Sequence, residues 1–278
     1  MKSISAAIVI STLSLWGSAY CQSSSSPVSL FPGHLLFRPF LANHEEAGLS
    51  LAQQIGSSRL NIAIGSAPDL LEVVTGGDTL RFGPDLYAFA LSNTIEGVLF
   101  KIAAADGHFG LHATLSDGTG WSFRFRAMHH SAHLVDGSYD AGTKSWPGGR
   151  DPFNYTRNFG EVDVAWEGLA GGLLLRAYSG IACDVWVRPK SIHPITTLHG
   201  VELRIPSVPA VYLAYSLLLM RVSAVSGTNT LEAGARVGSW NGTGARLFVR
   251  YFCGPDPLGA YYDIRREYIA AGFAVDLW

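Results

Sequence analysis

Charge is what this chain has least of. Asp, Glu, Lys and Arg make up 15% of its 278 residues, against about 25% in an ordinary soluble domain. With a net charge of −2 the few charges nearly cancel, so no nucleic-acid partner is indicated. Cysteine is scarce too: three in all, one of them Cys21 near the start. That excludes a disulfide framework and leaves Cys183 and Cys253 as a pair that an oxidising compartment could join. Beyond the first residues there is no unbroken apolar run near the ~20 residues that a membrane helix requires. No repeat unit and no zinc-type ligand spacing occurs either.

The sequence is rich in apolar residues (48%), aromatics (12%) and glycine (31 residues). Its first segment has one basic residue, Lys2, an apolar core from Ile4 to Trp16 and small residues near Ala19 to Cys21. This is the plan of a secretory signal peptide over 1–21. Lipidation of Cys21 is the alternative, set against the bulk of Tyr20 before it. Export, low charge and no membrane helix together predict an all-β fold, an antiparallel transmembrane β-barrel of about 12 strands, since barrel strands signal themselves only by short alternations. The expected division is a linker or periplasmic segment over 22–47 and the barrel over 48–278.

Counting back from the C-terminus, strands are expected at 263–278, 244–253, 229–240, 209–222, 195–205, 171–182, 153–166, 120–133, 108–116 and 97–105. Two to four more are expected within 48–91. Turn clusters such as Ser116-Asp117-Gly118-Thr119-Gly120 separate them. If the last strand descends to the periplasm, the turns at Ser207 and 168–170 are periplasmic. The segments 135–151 and 183–194 then become long outer loops.

One strand divides clearly into two faces. Trp121, Phe123, Phe125, Ala127, His129, Ser131 and His133 share one side; Arg124, Arg126, Met128 and His130 share the other. The arginines, with Arg157, Glu161 and Asp163 of the next strand, are expected in the lumen, either as a polar plug or lining a narrow pore. The aromatic side faces lipid and ends in a His-x-Ser-x-His cluster at the outer end. Residues two apart on a strand are ~6.6 Å apart and face the same way, so His129 can serve as base for a Ser131 nucleophile if a third group orients it. With the following loop centred near 142, Asn154 lies opposite Ser131 and is the candidate orienter. The oxyanion then needs either a backbone N–H near Ser131 or a calcium ion held by Asp136 or Asp140. The same residues also suit the headgroup region without any chemistry, and His129, His133 and Asp136 could instead form a metal or headgroup site.

Several segments carry a resemblance: Leu36 to Ala42, His129 to Asp136, Asn154 to Arg157, Leu198 to Glu202 and Gly254 to Gly259. In this order they resemble an uncharacterised family of bacterial outer-membrane proteins, the domain of unknown function numbered twelve hundred and seven. This implies an outer-membrane barrel and leaves the activity open. The His-x-Ser pair with an asparagine on the next strand is similar to the site of outer-membrane phospholipases A, and lipid A deacylases also use such a pair. That likeness implies serine-dependent hydrolysis of acyl esters in outer-membrane lipid, with a homodimer as one assembly left open. Ala132 and His133 stand where the phospholipases have glycine and asparagine. The ending Gly272 to Trp278 resembles the signal read by the barrel-assembly machinery, with its aromatic one position out of phase. The alternative to an enzyme is a barrel acting as a narrow pore, an envelope organiser or an adhesion surface.

Overall fold

The computed structural model describes residues 27–95, 99–135, 138–146, 149, 151–222 and 224–277; the expected signal peptide lies outside them. The strands are β1 (Val28–Leu30), β2 (Leu49–Gln54), β3 (Arg59–Ser66), β4 (Leu71–Thr75), β5 (Asp78–Ile95), β6 (Leu99–Ser116) and β7 (Trp121–Leu134). They continue with β8 (Tyr155–Ala170), β9 (Leu173–Arg188), β10 (Ile192–Ile205), β11 (Ala210–Val222), β12 (Ala224–Gly238), β13 (Gly244–Pro255) and β14 (Arg265–Asp276). All pairings are antiparallel, and the sheet closes on itself through β14 with β2 and β5 with β6. Closure removes the unpaired edges that an open sheet would present.

The wall is a ring of twelve strands. β3 and β4 lie end to end along β5, Arg59–Ser66 against Leu86–Asn93 and Leu71–Thr75 against Asp78–Phe82. They are therefore one wall strand interrupted at 67–70, with β1 added outside β4. The expected number of strands holds, but they divide differently. No break separates 97–105 from 108–116: Asp106 and Gly107 sit in the ladder opposite Ala132 and Ser131, so β6 runs through them. The long outer loop expected at 183–194 shrinks to residues 189–191, because β9 continues to Arg188 and β10 starts at Ile192.

Tight turns gather at one end of the barrel. The β8–β9 connection uses Gly171 and Gly172, with φ of 59° and 81°, the left-handed backbone that a two-residue hairpin of matching twist demands. The other end carries the segment 135–154 and the β13–β14 connection. We call these the turn end and the loop end.

Alternation sorts the side chains. Large apolar residues stay exposed around the circumference, including Phe109, Leu111, Phe123, Phe125, Val162, Ile181, Leu231, Leu247 and Phe273. Inward positions carry buried Arg, Asp, Glu, His and Tyr. A barrel interior this polar needs counter-groups, and the chain supplies them from residues 35–47. These were expected to belong to a linker, but they thread through the lumen. Phe40 stacks on Tyr178 of β9 at 3.8 Å. Glu46 pairs with Arg124 of β7, and Glu202 of β10 accepts the Leu41 N–H at 2.9 Å. Burying these apolar rings while neutralising the wall's cations holds the segment inside. At the loop end, Leu258, Ala260 and Tyr261 fold inward and pack on Leu91, Ala103 and Ala104.

Candidate active site on the outward face of strand β7

Strand β7 shows an unbroken alternation, with Arg124, Arg126, Met128, His130 and Ala132 buried and the residues between them at least partly exposed. His129 and Ser131 therefore share the outward face, beyond the aromatic stripe of Trp121, Phe123 and Phe125 and next to the loop end. His129 lies opposite Phe109 of β6 and Asn158 of β8. Its ring packs on Phe109 at 4.5 Å between centroids, and its Nδ1 lies 2.5 Å from Asn158 Oδ1. An amide oxygen only accepts, so Nδ1 carries the proton and Nε2 keeps its lone pair. That is the tautomer a general base requires.

The orienting amide is thus Asn158, and the expectation of Asn154 is corrected. Ser131 pairs with Thr156, not with Asn154, because the 135–154 connection closes two residues later than a loop centred near 142 would. A two-residue slip leaves the face unchanged, so another asparagine meets His129. Asn154 itself is exposed and precedes β8.

Space is left around the serine. Opposite it on β6 stands Gly107, where a methyl group would lie 3.8 Å from Ser131 Oγ; on β8 stands Thr156. Next to Asn158, β9 bulges: Asn158 pairs with Trp186 and Phe159 with Asp184, leaving Val185 extra. Bulges re-aim neighbouring side chains, and here Trp186 lies exposed with the Arg188 guanidinium 5.4 Å from its ring centre. No hydrogen bond joins Ser131 to His129 among the described residues. Such contacts commonly tighten only when substrate seats them.

The calcium expectation gains no support. Asp136 falls outside the described residues. Asp140 is exposed, and its Oδ1 accepts the N–H groups of Thr143 at 3.2 Å and Gly142 at 2.8 Å. Those bonds, the one from Thr143 foremost, hold its carboxyl below the usual carboxylate range. It closes a turn within the loop, and no described cluster of potential metal ligands includes it. His133 is exposed on the same face as Ser131.

The lumen charges lie on the opposite face. Arg124 pairs across the strands with Asp163 (3.0 Å) and reaches both carboxylate oxygens of Glu46 (2.9 and 2.6 Å). Arg126 pairs with Glu161 at 2.8 Å and also donates to the Tyr87 hydroxyl at 3.2 Å. Arg157 donates to Asp184 of β9 at 3.0 Å. Sequence reasoning missed Glu46 and Asp184, which join this network only through tertiary contact. It also missed an inward trio at the loop end, Asp106, His108 and His130. Alternation had placed His130 inside, and only the unbroken β6 brings in the other two.

Cys183 and Cys253 are both free thiols, four strands apart in the wall. No family model matches the chain, and no curated protein matches it. Among solved structures, the chain is similar to the beta domain of the Bordetella autotransporter Brka, at 14% identity and a TM-score of 0.42, covering 84% of this chain and 100% of that one. It is also similar to OmpT, an outer-membrane protein of Vibrio cholerae, at 11% identity and a TM-score of 0.32, covering 81% of this chain and 92% of that one.

Proposed function

We propose that this barrel spans the bacterial outer membrane and hydrolyses acyl esters of membrane lipid at its outward surface. Only a helix or a closed barrel satisfies its backbone in hydrocarbon, and the exposed apolar belt supports that setting. The observation that carries the activity is the His129 to Asn158 bond, made on the lipid side two residues from Ser131. In this reading Asn158 holds the imidazole and Nε2 takes the proton from Ser131 Oγ. The serine oxygen attacks the ester carbonyl, and the alcohol leaves with the proton returned by His129. Water then releases the fatty acid from the acyl-serine by the same route in reverse. The Thr156 hydroxyl, on the strand position opposite Ser131, is the donor offered to the oxyanion. Substrate arrives laterally, its chains against Phe109, Phe123 and Phe125 and its polar head towards Trp186 and Arg188.

The test is acyl release from vesicles of labelled phospholipid, and separately from lipopolysaccharide, by the parent barrel and Ser131→Ala. Release by the parent that disappears in the variant is expected; equal turnover in both would overturn the reading. A second reading, a narrow polar passage, is favoured by one feature. A lumen cavity of about 90 Å³ beside the 35–47 segment is lined by Arg38, Arg236, Arg246 and Arg250 together with Glu46 and Asp276. Conductance in planar bilayers that falls when these arginines are replaced would support it.

A further inference from the structure

On the inward side of the same wall, at the loop end, three side chains meet with nothing between them and solvent but protein. Asp106, His108 and His130 are 1%, 3% and 2% exposed, and one potential ligand atom of each lies within 4.8 Å of those of the other two. Asp106 and His108 alternate inward on β6, and His130 comes from β7, directly opposite His108. Part of this trio is satisfied. Asp106 Oδ2 accepts the backbone N–H of Gly259 at 2.7 Å and the Nε2–H of His130 at 2.8 Å. The rest is not: Asp106 Oδ1, His108 Nδ1 and His130 Nδ1 are all buried without a hydrogen-bond partner.

An orphaned buried polar atom loses its hydration without compensation, and three in one spot is more than a well-satisfied interior tolerates. The two imidazoles also stack, with centroids 3.8 Å apart and planes at 23°. Each neutral ring offers its nitrogen lone pair in the ring plane, so an ion would be held at the ring edges beside Asp106 and not between the stacked faces. Binding would replace the Asp106–His130 hydrogen bond: the ion takes the Nε2 lone pair of His130 beside Asp106, and the ring proton moves to the orphaned Nδ1.

We propose that Asp106, His108 and His130 form a binding site for a divalent transition ion of the zinc class. Two imidazole nitrogens and a carboxylate oxygen are the donors that such ions select over calcium or magnesium. The ion would tie β6 to β7. Through the bond from Gly259 to Asp106, it would also fix the inward fold of the β13–β14 connection. The site is distinct from the outward serine, since Ser131 and His130 lie on opposite faces of β7.

The experiment is a Co²⁺ and Zn²⁺ titration of the untagged, folded full chain in detergent after treatment with chelator, with metal content per chain as the readout. Parent and Ser131→Ala are expected to bind one equivalent each. His108→Gln and His130→Gln should each bind at least about tenfold more weakly. No stoichiometric uptake by the parent, or parent-like affinity in both histidine variants, would overturn the proposal. Should the variants fail to fold, X-ray absorption of the zinc-loaded parent decides. Scattering from two imidazoles is expected, and a shell without imidazole would refute the site.

Discussion

His129 and His130 are neighbours in the chain, yet the barrel gives them different surroundings. His129 faces outward, partly exposed, with one amide partner at 2.5 Å and Phe109 against its ring. His130 faces inward, 2% exposed, stacked on His108 and bonded to Asp106. The pleat of β7 makes the difference, because successive side chains point to opposite sides of a sheet. Outside, polar groups are few and each stands among apolar neighbours, so one hydrogen bond can set a tautomer. Inside, charges are many and mutually paired, so each residue contributes to packing and ionic balance. On the outward face, losing a polar group costs little stability; on the inward face it strands a buried charged partner.

That contrast can be broken most directly at Ser131. Ser131→Ala should lower acyl release by about a thousandfold or more. Its unfolding midpoint in urea should stay within what a shift of about 0.5 kcal/mol produces, as for other exposed substitutions. An equally large loss of stability would show that the outward site is structural after all. The inward counterpart is Glu46→Ala. It strips Arg124 of its two-point partner within the barrel, and breaking a buried pair in this way costs about 3–5 kcal/mol. Urea unfolding should register that loss while acyl release per folded molecule stays near the parent value; an unchanged midpoint would mean that the 35–47 segment is not held by this pair.

A smaller effect sharpens the comparison on the outward face. Asn158→Ala should lower kcat about ten- to a hundredfold, the cost of a misplaced base, with KM little changed. Asn154→Ala serves as the control and should stay within about twofold, as for a surface site without partners. If Asn154→Ala proved the more damaging of the two, the register Ser131 to Thr156 would not be the working one. The smallest change is expected for His133→Ala, again within about twofold in release assays; a larger drop would draw His133 into the site.

Much of the wall could be read from residues such as Phe123, Arg124, Phe125 and Arg126, where alternation is strict enough to assign faces directly. The hairpin expected at 168–170 lies instead at Gly171 and Gly172, because β8 runs on through Ala170 and only the two glycines take the left-handed backbone of the turn. Asp106-Gly107 misled because the pair looks like turn chemistry, whereas the aspartate is an inward ligand-like group in mid-strand. The base and nucleophile were visible as His-x-Ser, but their orienter was not. Choosing between Asn154 and Asn158 depends on how much chain the β7–β8 connection consumes, and local sequence does not specify that. The destination of 35–47 was hidden for a related reason. Phe37, Phe40 and Glu46 look unremarkable until Tyr178 and Arg124 supply partners.

By itself the sequence determined the barrel class, the strand number and the face on which each residue of β7 lies, because these follow from composition and a period of two along one strand. Only the tertiary structure decided which residues meet across strands. Register, closure and the filling of the lumen are set by contacts between distant parts of the chain. Asn158 is at His129, Glu46 at Arg124 and Asp106 beside His130 only because twelve strands close in one particular alignment.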